Sequence, residues 1–211
     1  MRSTNDSIGV MASRQSSALR ALSFVLFVIS VSVSAYSSAR AEQLTNQDQG
    51  VFLVATEQLQ GSSFQETVIL LTHNSERGAT GLTINRPTDI TLQQAFPRIR
   101  QLQQRSDPLY LGGPVGTNAI FVLVRTKHPH RTMHRIANDI YFSTGQNAFD
   151  RPLEPTSRTY AGYVGWAPGQ LQAEISRGDW LIVHTEPEII FEENTSKLWQ
   201  HLIKRWSGLW L

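Results

Sequence analysis

The chain has 211 residues and no cysteine, with 19 Lys and Arg against 17 Asp and Glu, which gives a formal net charge of +2. The missing cysteine excludes thiol catalysis, iron–sulfur clusters and cysteine-ligated zinc. The first 41 residues hold four arginines and one acid, so residues 42–211 have 15 basic and 16 acidic side chains and a net charge of −1. Because nucleic-acid affinity rests largely on phosphate contacts, this balance predicts no nucleic-acid partner.

The beginning of the chain has the pattern of a secretory signal peptide. Basic residues precede an uncharged, largely apolar run of 16 residues, 21–36, and Ala39 and Ala41 form an A-x-A cleavage pattern. This run is shorter than the roughly 20 residues that a helix needs to cross a bilayer. We therefore expect cleavage after Ala41 and a periplasmic or secreted protein. An uncleaved segment that anchors the protein to the membrane is the alternative.

These boundaries divide the chain into three parts. Residues 1–41 are predicted to be the signal peptide, residues 42–49 a short, flexible polar lead-in, and residues 50–211 a single domain large enough to bury a core. The basic start region is long for a signal peptide, so either Met1 or Met11 is the first residue.

Strands dominate the pattern of the domain. Short apolar and β-branched runs predict strands over residues 51–55, 67–72, 80–85, 109–111, 119–125, 139–143, 160–164 and 180–184, with a short extended piece over 188–191. The second and third of these strands are expected to form a hairpin. No regular alternation of strand and helix is present, so the predicted fold class is α+β with a mixed, mainly antiparallel sheet.

Three helices are predicted, over residues 91–96, 168–176 and 195–206. We expect Thr88 or Asp89 to cap the first helix and Pro168 to lie in the first turn of the second. The third helix has the clearest pattern, because one apolar stripe contains Leu198, Trp199, Leu202, Ile203 and Trp206.

Three segments resemble, in this order, the YqgE/AlgH family of bacterial proteins. They are E-T-V-I-L-L-T-H-N-S-E-R-G-A-T-G-L-T-I-N-R-P from residue 66, L-Y-L-G-G-P-V from residue 109 and Y-A-G-Y-V-G-W-A-P-G-Q-L-Q-A-E-I from residue 160. The resemblance covers roughly residues 50–205 and implies a bent, split sheet that forms a partial barrel flanked by helices. It implies no reaction, cofactor or catalytic residue. One branch is named as a regulator of alginate synthesis, but an export signal, which family members usually lack, argues against direct action on promoters.

Gly- and Pro-rich segments that follow predicted strands form the candidate ligand or partner groove, because scaffolds usually place their sites at strand exits. The residues expected to line it are Asn85, Arg86, Gly112, Gly113, Pro114, Gly165, Trp166, Gly169 and Gln170. That these segments meet in space is a hypothesis. Trp166 follows Gly165 at an expected loop and is predicted to form a partly exposed aromatic wall.

Two features of this groove have alternative interpretations. Its glycines could present N–H groups to an anion, but we favour tight turns and close approach of strands. Arg86 could hold a carboxylate or phosphate, whereas a structural salt bridge to Glu66 is the interpretation that we favour.

A basic segment, R-T-K-H-P-H-R-T-M-H-R from residue 125, contains His128, His130 and His134. Three imidazoles could bind zinc or copper, but four Lys and Arg in the same segment oppose cation binding. We therefore predict no metal site and interpret the segment as a solvated hairpin tip. Such a tip could also touch an anionic surface.

The leading functional interpretation is a non-enzymatic binding or adaptor domain that acts outside the cytoplasm, with an unknown protein or small-molecule partner, no cofactor and no catalytic residue. Membrane contact is expected only through the signal segment, if that segment stays uncleaved. One alternative is a hydrolase or transferase that uses His73 with Glu66 or Glu76. Another is a regulator of gene expression, as the family name suggests.

Overall fold

The computed structural model describes residues 44, 48–149, 153–184, 187–191 and 194–207. The predicted signal peptide and the choice between Met1 and Met11 lie outside the described residues. None of the described helices is long and apolar enough to cross a membrane. The described residues all fall in the unit Glu42–Leu211.

The described strands are β1 (Phe52–Ala55), β2 (Val68–Ser75), β3 (Gly78–Thr83), β4 (Pro87–Thr91), β5 (Pro108–Leu111), β6 (Val115–Arg125), β7 (His134–Ala137), β8 (Ile140–Thr144), β9 (Ser157–Trp166) and β10 (Trp180–Val183). The α-helices are α1 (Leu92–Ala95), α2 (Gln170–Ser176) and α3 (Leu198–Ser207). Short 3-10 turns cover Glu57–Leu59, Arg100–Leu102, Gln146–Phe149, Pro187–Phe191 and Thr195–Lys197.

The described strands join in one sheet with the order β10-β1-β2-β3-β9-β6-β8-β7, and β5 links β4 to β9. Each described pairing is antiparallel except that between β5 and β9, which is parallel. Because β10 and β7 stand at opposite ends of this order, the sheet does not close on itself. The predicted class, an α+β fold with a mainly antiparallel, partial barrel, is confirmed.

Strand β9 organises the sheet because it changes partner along its length. Residues 159–161 pair with β5, and residues 164–166 pair with β3. Gly162 lies at the change, with a φ of 72° that favours glycine. The sheet therefore splits at Gly162, and the ends of β3 and β5 meet there.

Both faces of the central strands are buried, which explains their unbroken apolar sequences. Alternate residues of β1 and β2 enter two different clusters: Val54 and Leu70 belong to one, Leu53 and Ile69 to the other. A third cluster packs α1 against β6 and the turn at Gln146–Phe149. The first five residues of β2, residues 68–72, are accordingly all buried.

Helix α3 docks on the sheet through the predicted stripe. Leu198 and Leu202 are buried, and Trp199 packs against both of the larger clusters. The Trp199 Nε1–H also donates a hydrogen bond of 2.7 Å to the carbonyl oxygen of Ala55. The helix thus fixes the end of β1 by both packing and a directional contact.

Several predicted details of the elements are wrong, and local chemistry explains them. Helix α1 is capped by Thr91, which exchanges hydrogen bonds with Gln94, whereas the expected caps lie in β4. Helix α2 begins at Gln170 after Gly169, so Pro168 precedes the helix. The piece expected to be extended at 188–191 is part of a 3-10 turn.

Strands β4 and β7 were not predicted. Proline opens β4, and the burial pattern of each strand is mostly exposed or intermediate. Neither strand has the alternation of apolar and polar residues that identifies a half-buried strand. Among the described strands, each of the two has a neighbour on one side only. They are therefore edge strands, which tolerate proline and charged residues.

Substitution Trp199→Ala is expected to lower the free energy of unfolding by about 3–5 kcal/mol, because it empties a contact shared by two clusters. Trp199→Phe keeps an aromatic ring but removes the hydrogen bond to Ala55. The loss of that bond alone is expected to lower the free energy of unfolding by about 1 kcal/mol. Chemical unfolding measures both, with exposed Gln200→Ala as the control. A loss below about 1 kcal/mol for Trp199→Ala would contradict the described docking of α3.

Candidate functional site

Two of the segments expected to line the groove, residues 85–86 and residues 112–114, meet where the sheet splits. The Leu111 N–H donates to the Arg86 carbonyl at 2.9 Å, and the Thr83 N–H donates to the Gly112 carbonyl at 2.8 Å. Beside this junction lies a pocket of about 100 Å³, lined by Ser63, Phe64, Thr67, Thr83, Arg86, Leu111, Gly113 and Pro114. We call it the junction pocket.

Arg86 lies at the junction pocket, half-buried, but not in the predicted salt bridge. Its Nη2 donates a hydrogen bond of 2.9 Å to the carbonyl oxygen of Gln65, the residue before Glu66. Glu66 itself has a positive φ of 55°. The backbone turn thus brings a carbonyl, and not the Glu66 carboxylate, to the guanidinium.

Asn85 is a structural residue and not a ligand contact. Its side chain is buried, and both ends of the amide are used: Oδ1 accepts from the Val68 N–H at 2.8 Å and Nδ2 donates to the Glu66 carbonyl at 2.9 Å. These bonds satisfy the backbone at the start of β2, where an unpaired polar group would be costly. The prediction that Asn85 lines a groove is therefore wrong.

The glycines at the junction allow backbone to cross backbone. A Cβ atom on Gly112 would overlap the Gly162 carbonyl oxygen, and one on Gly113 would overlap the backbone of Tyr163. The Gly112 N–H donates to the Ala161 carbonyl at 2.8 Å. The favoured interpretation, close approach of strands, accounts for this contact, since the Gly112 amide is already used within the sheet.

The third segment expected to line the groove, residues 165–170, lies elsewhere. The three segments therefore do not form a single groove. Gly169 lines a pocket of about 320 Å³ together with Leu44, Asn74, Ser75, Glu76, Gly78, Ala79, Ala167, Leu171 and Gln172. This pocket faces the tip of the β2–β3 hairpin. Strand β9 continues from Gly162 to Trp166, about 13 Å along an extended chain, and carries the third segment away from the junction. Leu44, from the lead-in, packs against the cluster beneath this second pocket.

Trp166 is not an exposed wall, because only 6% of it is accessible. It is the last residue of β9 and lies edge-on to Trp180, with ring centroids 6.2 Å apart. Both indole N–H groups donate to the same oxygen of Glu174, Oε2, each at 2.8 Å. The other oxygen, Oε1, accepts from Gln170 Nε2 at 2.9 Å. Trp166 and Trp180 therefore hold α2 on the sheet, whereas the bond from Gln170 lies within the helix.

The alternative interpretation, a hydrolase or transferase, pairs His73 with either Glu66 or Glu76, and the structure separates His73 from Glu66. His73 lies near the hairpin end of β2, whereas Glu66 precedes the other end of the strand. Seven extended residues span about 23 Å, so the two side chains cannot share a proton. His73 Nε2 contacts the Ser75 hydroxyl at 3.2 Å. Glu76 shares this end of the hairpin and is the carboxylate that the alternative retains.

The three histidines of the basic segment do not gather around a common point. His130 Nδ1 contacts the Thr132 hydroxyl at 2.9 Å, and His134 stacks on Phe142 with ring centroids 5.0 Å apart. Within the described part of the chain, no group of three or more potential ligands is placed to hold a metal ion. The segment is also not a hairpin tip: it connects β6 to β7, which flank β8 on either side.

A further pocket, away from the expected groove, was not predicted. It measures about 370 Å³ and is lined by Leu92, Asp107, Pro108, Tyr110, Pro155, Thr156, Ser157, Arg158, Thr159 and Phe191. The Arg158 guanidinium lies over the Tyr110 ring, 5.0 Å from its centroid. The neighbouring Tyr160 is fully buried, and this burial raises the pKa of its hydroxyl, while the charge of Arg158 opposes the rise. The available sequence signal was Arg158, an arginine two residues before the predicted strand of residues 160–164.

Together these features define an α+β domain with an open, bent sheet, whose strand junction carries a pocket the size of a side chain. The AlgH-like family (DUF179) matches residues 52–210. A UPF0301 protein of Paraburkholderia phytofirmans is 38% identical over 160 residues, which cover 71% of this chain and 81% of that protein. A UPF0301 protein of Methylococcus capsulatus is 35% identical over 163 residues, or 74% and 89% of the two chains.

Solved structures agree with the sequence relatives. The solution structure of AlgH from Pseudomonas aeruginosa matches with a TM-score of 0.62 and 28% identity, over 78% of this chain and 92% of that chain. A crystal structure from Corynebacterium diphtheriae matches with a TM-score of 0.65 and 25% identity, over 78% and 90%. The chain belongs to the AlgH-like family, which confirms the resemblance found in the sequence. AlgH is matched over nearly its whole length, so in that protein a chain of this extent folds on its own.

Substitution Glu174→Ala is expected to lower the free energy of unfolding by about 2–4 kcal/mol, because it leaves two indole N–H groups without an acceptor. Glu174→Gln retains a carbonyl oxygen and is expected to cost about 1 kcal/mol or less. Urea unfolding followed by tryptophan fluorescence measures both variants. Equal losses for the two would show that the shared acceptor at Trp166 and Trp180 is not what stabilises this contact.

Substitution Gly162→Ala is expected to destabilise the fold by more than about 3 kcal/mol, because its Cβ would overlap the Gly113 carbonyl oxygen. Gly145→Ala is a matched control: its φ of 71° equals that of Gly162 within a degree, but nothing lies within 4 Å of the added Cβ. The Gly145→Ala control should lower the free energy of unfolding by only about 1–2 kcal/mol, the cost of holding a residue with a Cβ at a positive φ. Similar melting temperatures for both variants would contradict the close crossing.

Proposed function

We propose that the protein is a non-enzymatic binding domain that acts outside the cytoplasm, and that its junction pocket receives one apolar side chain of a protein partner. The observation that carries this proposal is the size and setting of the pocket. Small-molecule sites usually measure about 300–1,000 Å³. At about 100 Å³, the junction pocket suits a single side chain.

Exposed apolar surface supports a protein partner. Among the described residues, the large hydrophobic side chains that remain exposed are Ile90, Leu111 and Val115. Leu111 lines the junction pocket, and Val115 follows Pro114, which also lines it. Apolar side chains grouped at a pocket and surrounded by polar ones are typical of interaction sites.

The charge at the pocket indicates what else the partner presents. Arg86 uses one of its five N–H donors on the Gln65 carbonyl, which holds the guanidinium in place. A carboxylate of the partner can accept from the remaining donors in the planar geometry that arginine favours. We therefore infer that an acidic group accompanies the inserted apolar side chain.

Rigidity of the junction favours binding. Gly112 and Gly113 pack directly on β9, so the pocket wall is backbone held by hydrogen bonds on both sides. A preformed wall avoids the entropy cost of ordering a loop on association. The signal-like sequence before Glu42 is the support for action outside the cytoplasm.

Photo-cross-linking in living cells tests this proposal. A benzophenone amino acid at position 111 is expected to give a discrete protein adduct in the exported fraction. The same probe at Ile90, which is 49% exposed but does not line the pocket, is the matched control and should give none. Adding Arg86→Gln should reduce the adduct from position 111 at least tenfold, as expected for a central anchor of an interface.

Two outcomes would contradict the proposal. An adduct that forms equally from both positions would mean that the junction pocket is not the contact. An adduct found solely in the cytosol would refute action outside the cytoplasm and favour the gene-regulation alternative.

A further inference from the structure

The pocket of about 370 Å³ that Arg158 lines, called the Arg158 pocket from here on, is separate from the junction pocket. Strands β5 and β9 run in parallel, and the Arg158 pocket is lined by Pro108 and Ser157, the first residue of each strand. The junction pocket is lined by Leu111, the last residue of β5. Among the described residues, none lines both pockets. The Arg158 pocket can therefore hold a ligand independently of the junction pocket.

The size and depth of the Arg158 pocket suit a small molecule. Its volume of about 370 Å³ falls within the range of about 300–1,000 Å³ that small-molecule sites occupy. Leu92 and Thr159 line the pocket although each is only 1% exposed, so they form its floor. Pro155 and Thr156 are exposed and form the rim. A ligand that reaches the floor would be largely removed from water.

Part of the lining is apolar and held in place. Pro108, Tyr110 and Phe191 contribute apolar surface to the pocket. The Tyr110 ring lies between two neighbours: the Tyr160 ring, with centroids 5.3 Å apart, and the Arg158 guanidinium, 5.0 Å from the Tyr110 centroid. Because these contacts fix the ring, the hydrocarbon part of a ligand would pack against a preformed wall.

Arg158 brings a positive charge to the pocket. Its guanidinium lies over the Tyr110 ring, where the face of the ring attracts a cation. Arginine has five N–H donors, so one side chain can serve a protein partner and a ligand at the same time. Its planar group matches the two oxygens of a carboxylate.

The acidic side chain in the lining is offset by a second arginine. Asp107 accepts a hydrogen bond of 2.6 Å from Arg105 Nε. Glu154, close by in the chain, is exposed and does not line the pocket. Two arginines and one carboxylate, Arg105, Arg158 and Asp107, thus give this part of the described surface a charge of +1. Such a balance favours an anion with a single charge.

The floor of the pocket also contains a hydroxyl group that lacks a partner. No described residue forms a hydrogen bond with Thr159 Oγ1, although the side chain is buried. A buried polar group without a partner costs free energy. A ligand oxygen at the floor could accept a hydrogen bond from this hydroxyl, so binding would remove the cost.

We propose that the Arg158 pocket binds a small organic carboxylate, a monoanion with an apolar body. The carboxylate accepts hydrogen bonds from Arg158, and the apolar body packs on Tyr110 and Phe191. A phosphate ester is less suitable, because its second charge would be opposed by the Asp107 carboxylate and the lining offers one arginine. This site is additional to the proposed contact with a protein partner.

Titration of the full-length chain with benzoate, and separately with hexanoate, tests the site. At least one of the two is expected to bind saturably, with a Kd of about 1 mM or lower, and to shift the NMR signals of the Arg158 and Thr159 amides. Benzamide has nearly the shape of benzoate but no charge. It should bind at least about tenfold more weakly than benzoate, because a charge-assisted hydrogen bond is stronger than a neutral one.

Two variants test the residues. Arg158→Gln is expected to weaken carboxylate binding at least about tenfold. Thr159→Val should weaken binding about three- to tenfold through the lost hydrogen bond, yet leave the unfolding midpoint unchanged or raised, because the deleted hydroxyl has no partner in the described fold. Weaker binding without a loss of stability is a result that a purely structural role would not give.

Arg77→Gln is the matched control for the loss of charge. Arg77 is exposed in the turn between β2 and β3. The neighbouring Ala79 lies opposite Trp166, which is eight residues along β9 from Arg158, or about 26 Å of extended strand. Because charges at this distance are screened, the control should change carboxylate affinity less than about twofold.

Five results would overturn the inference: no saturable binding of benzoate or hexanoate, equal affinity for benzoate and benzamide, tighter binding of inorganic phosphate than of either carboxylate, equal weakening by Arg77→Gln and Arg158→Gln, or unchanged carboxylate affinity in Thr159→Val. Each is distinct from failure of the proposed function, because the cross-linking at position 111 does not involve the Arg158 pocket.

Discussion

The close crossing of backbones at Gly112, Gly113 and Gly162 is the constraint on which the rest of the sheet depends. It lets β9 exchange β5 for β3 as its neighbour without leaving the sheet. Without this exchange, the ends of β3 and β5 would not meet, and the junction pocket would have no wall. A side chain at any of the three positions would have to move a strand, which is costly in a close-packed interior.

This constraint also explains the distribution of burial along β9. Tyr160, before the change of partner, packs in the cluster beneath α3, whereas Val164 and Trp166, after it, pack in the cluster beneath α2. One strand thus serves two cores, and Trp199 joins them from the outside by contacting both. The helices stabilise the bend because each covers one side of it.

Local sequence predicted most of the elements, since unbroken apolar runs, the stripe on α3 and the glycine-rich turns are signals carried by neighbouring residues. It also contained signals that were overlooked: Thr91 and Gln94 have the spacing of a capping box, and Trp166 continues the period-two burial of Tyr160 and Val164. Such features depend only on spacing, so sequence alone could have identified Thr91 as the helix cap and Trp166 as a buried residue.

The convergence of the site could not be predicted in the same way. Arg86 and Leu111 meet because β4 pairs with β5, with Pro87 opposite Tyr110. The parallel pairing of β5 with β9, some fifty residues later in the chain, then places both residues at the junction, and residue spacing carries no information about that choice of partner. The same holds for Glu174, whose role is defined by two tryptophans that approach it from β9 and β10. Long-range pairing decided which glycine-rich segments share a surface, and it separated the third from the first two.

Net charge illustrates the same limit for function. The balance of 15 basic and 16 acidic residues over 42–211 describes an average, but electrostatic interactions decay within about 10 Å at moderate salt, so a partner responds to the local field. The crossover between β6 and β7, residues 126–133, can concentrate positive charge because its exposed side chains contribute little to the buried clusters. Charge placed there changes what the surface attracts without altering the packing that the glycine junction requires. The structure therefore separates two demands on the sequence: the junction constrains residues through close packing, and the crossover is free to vary in charge.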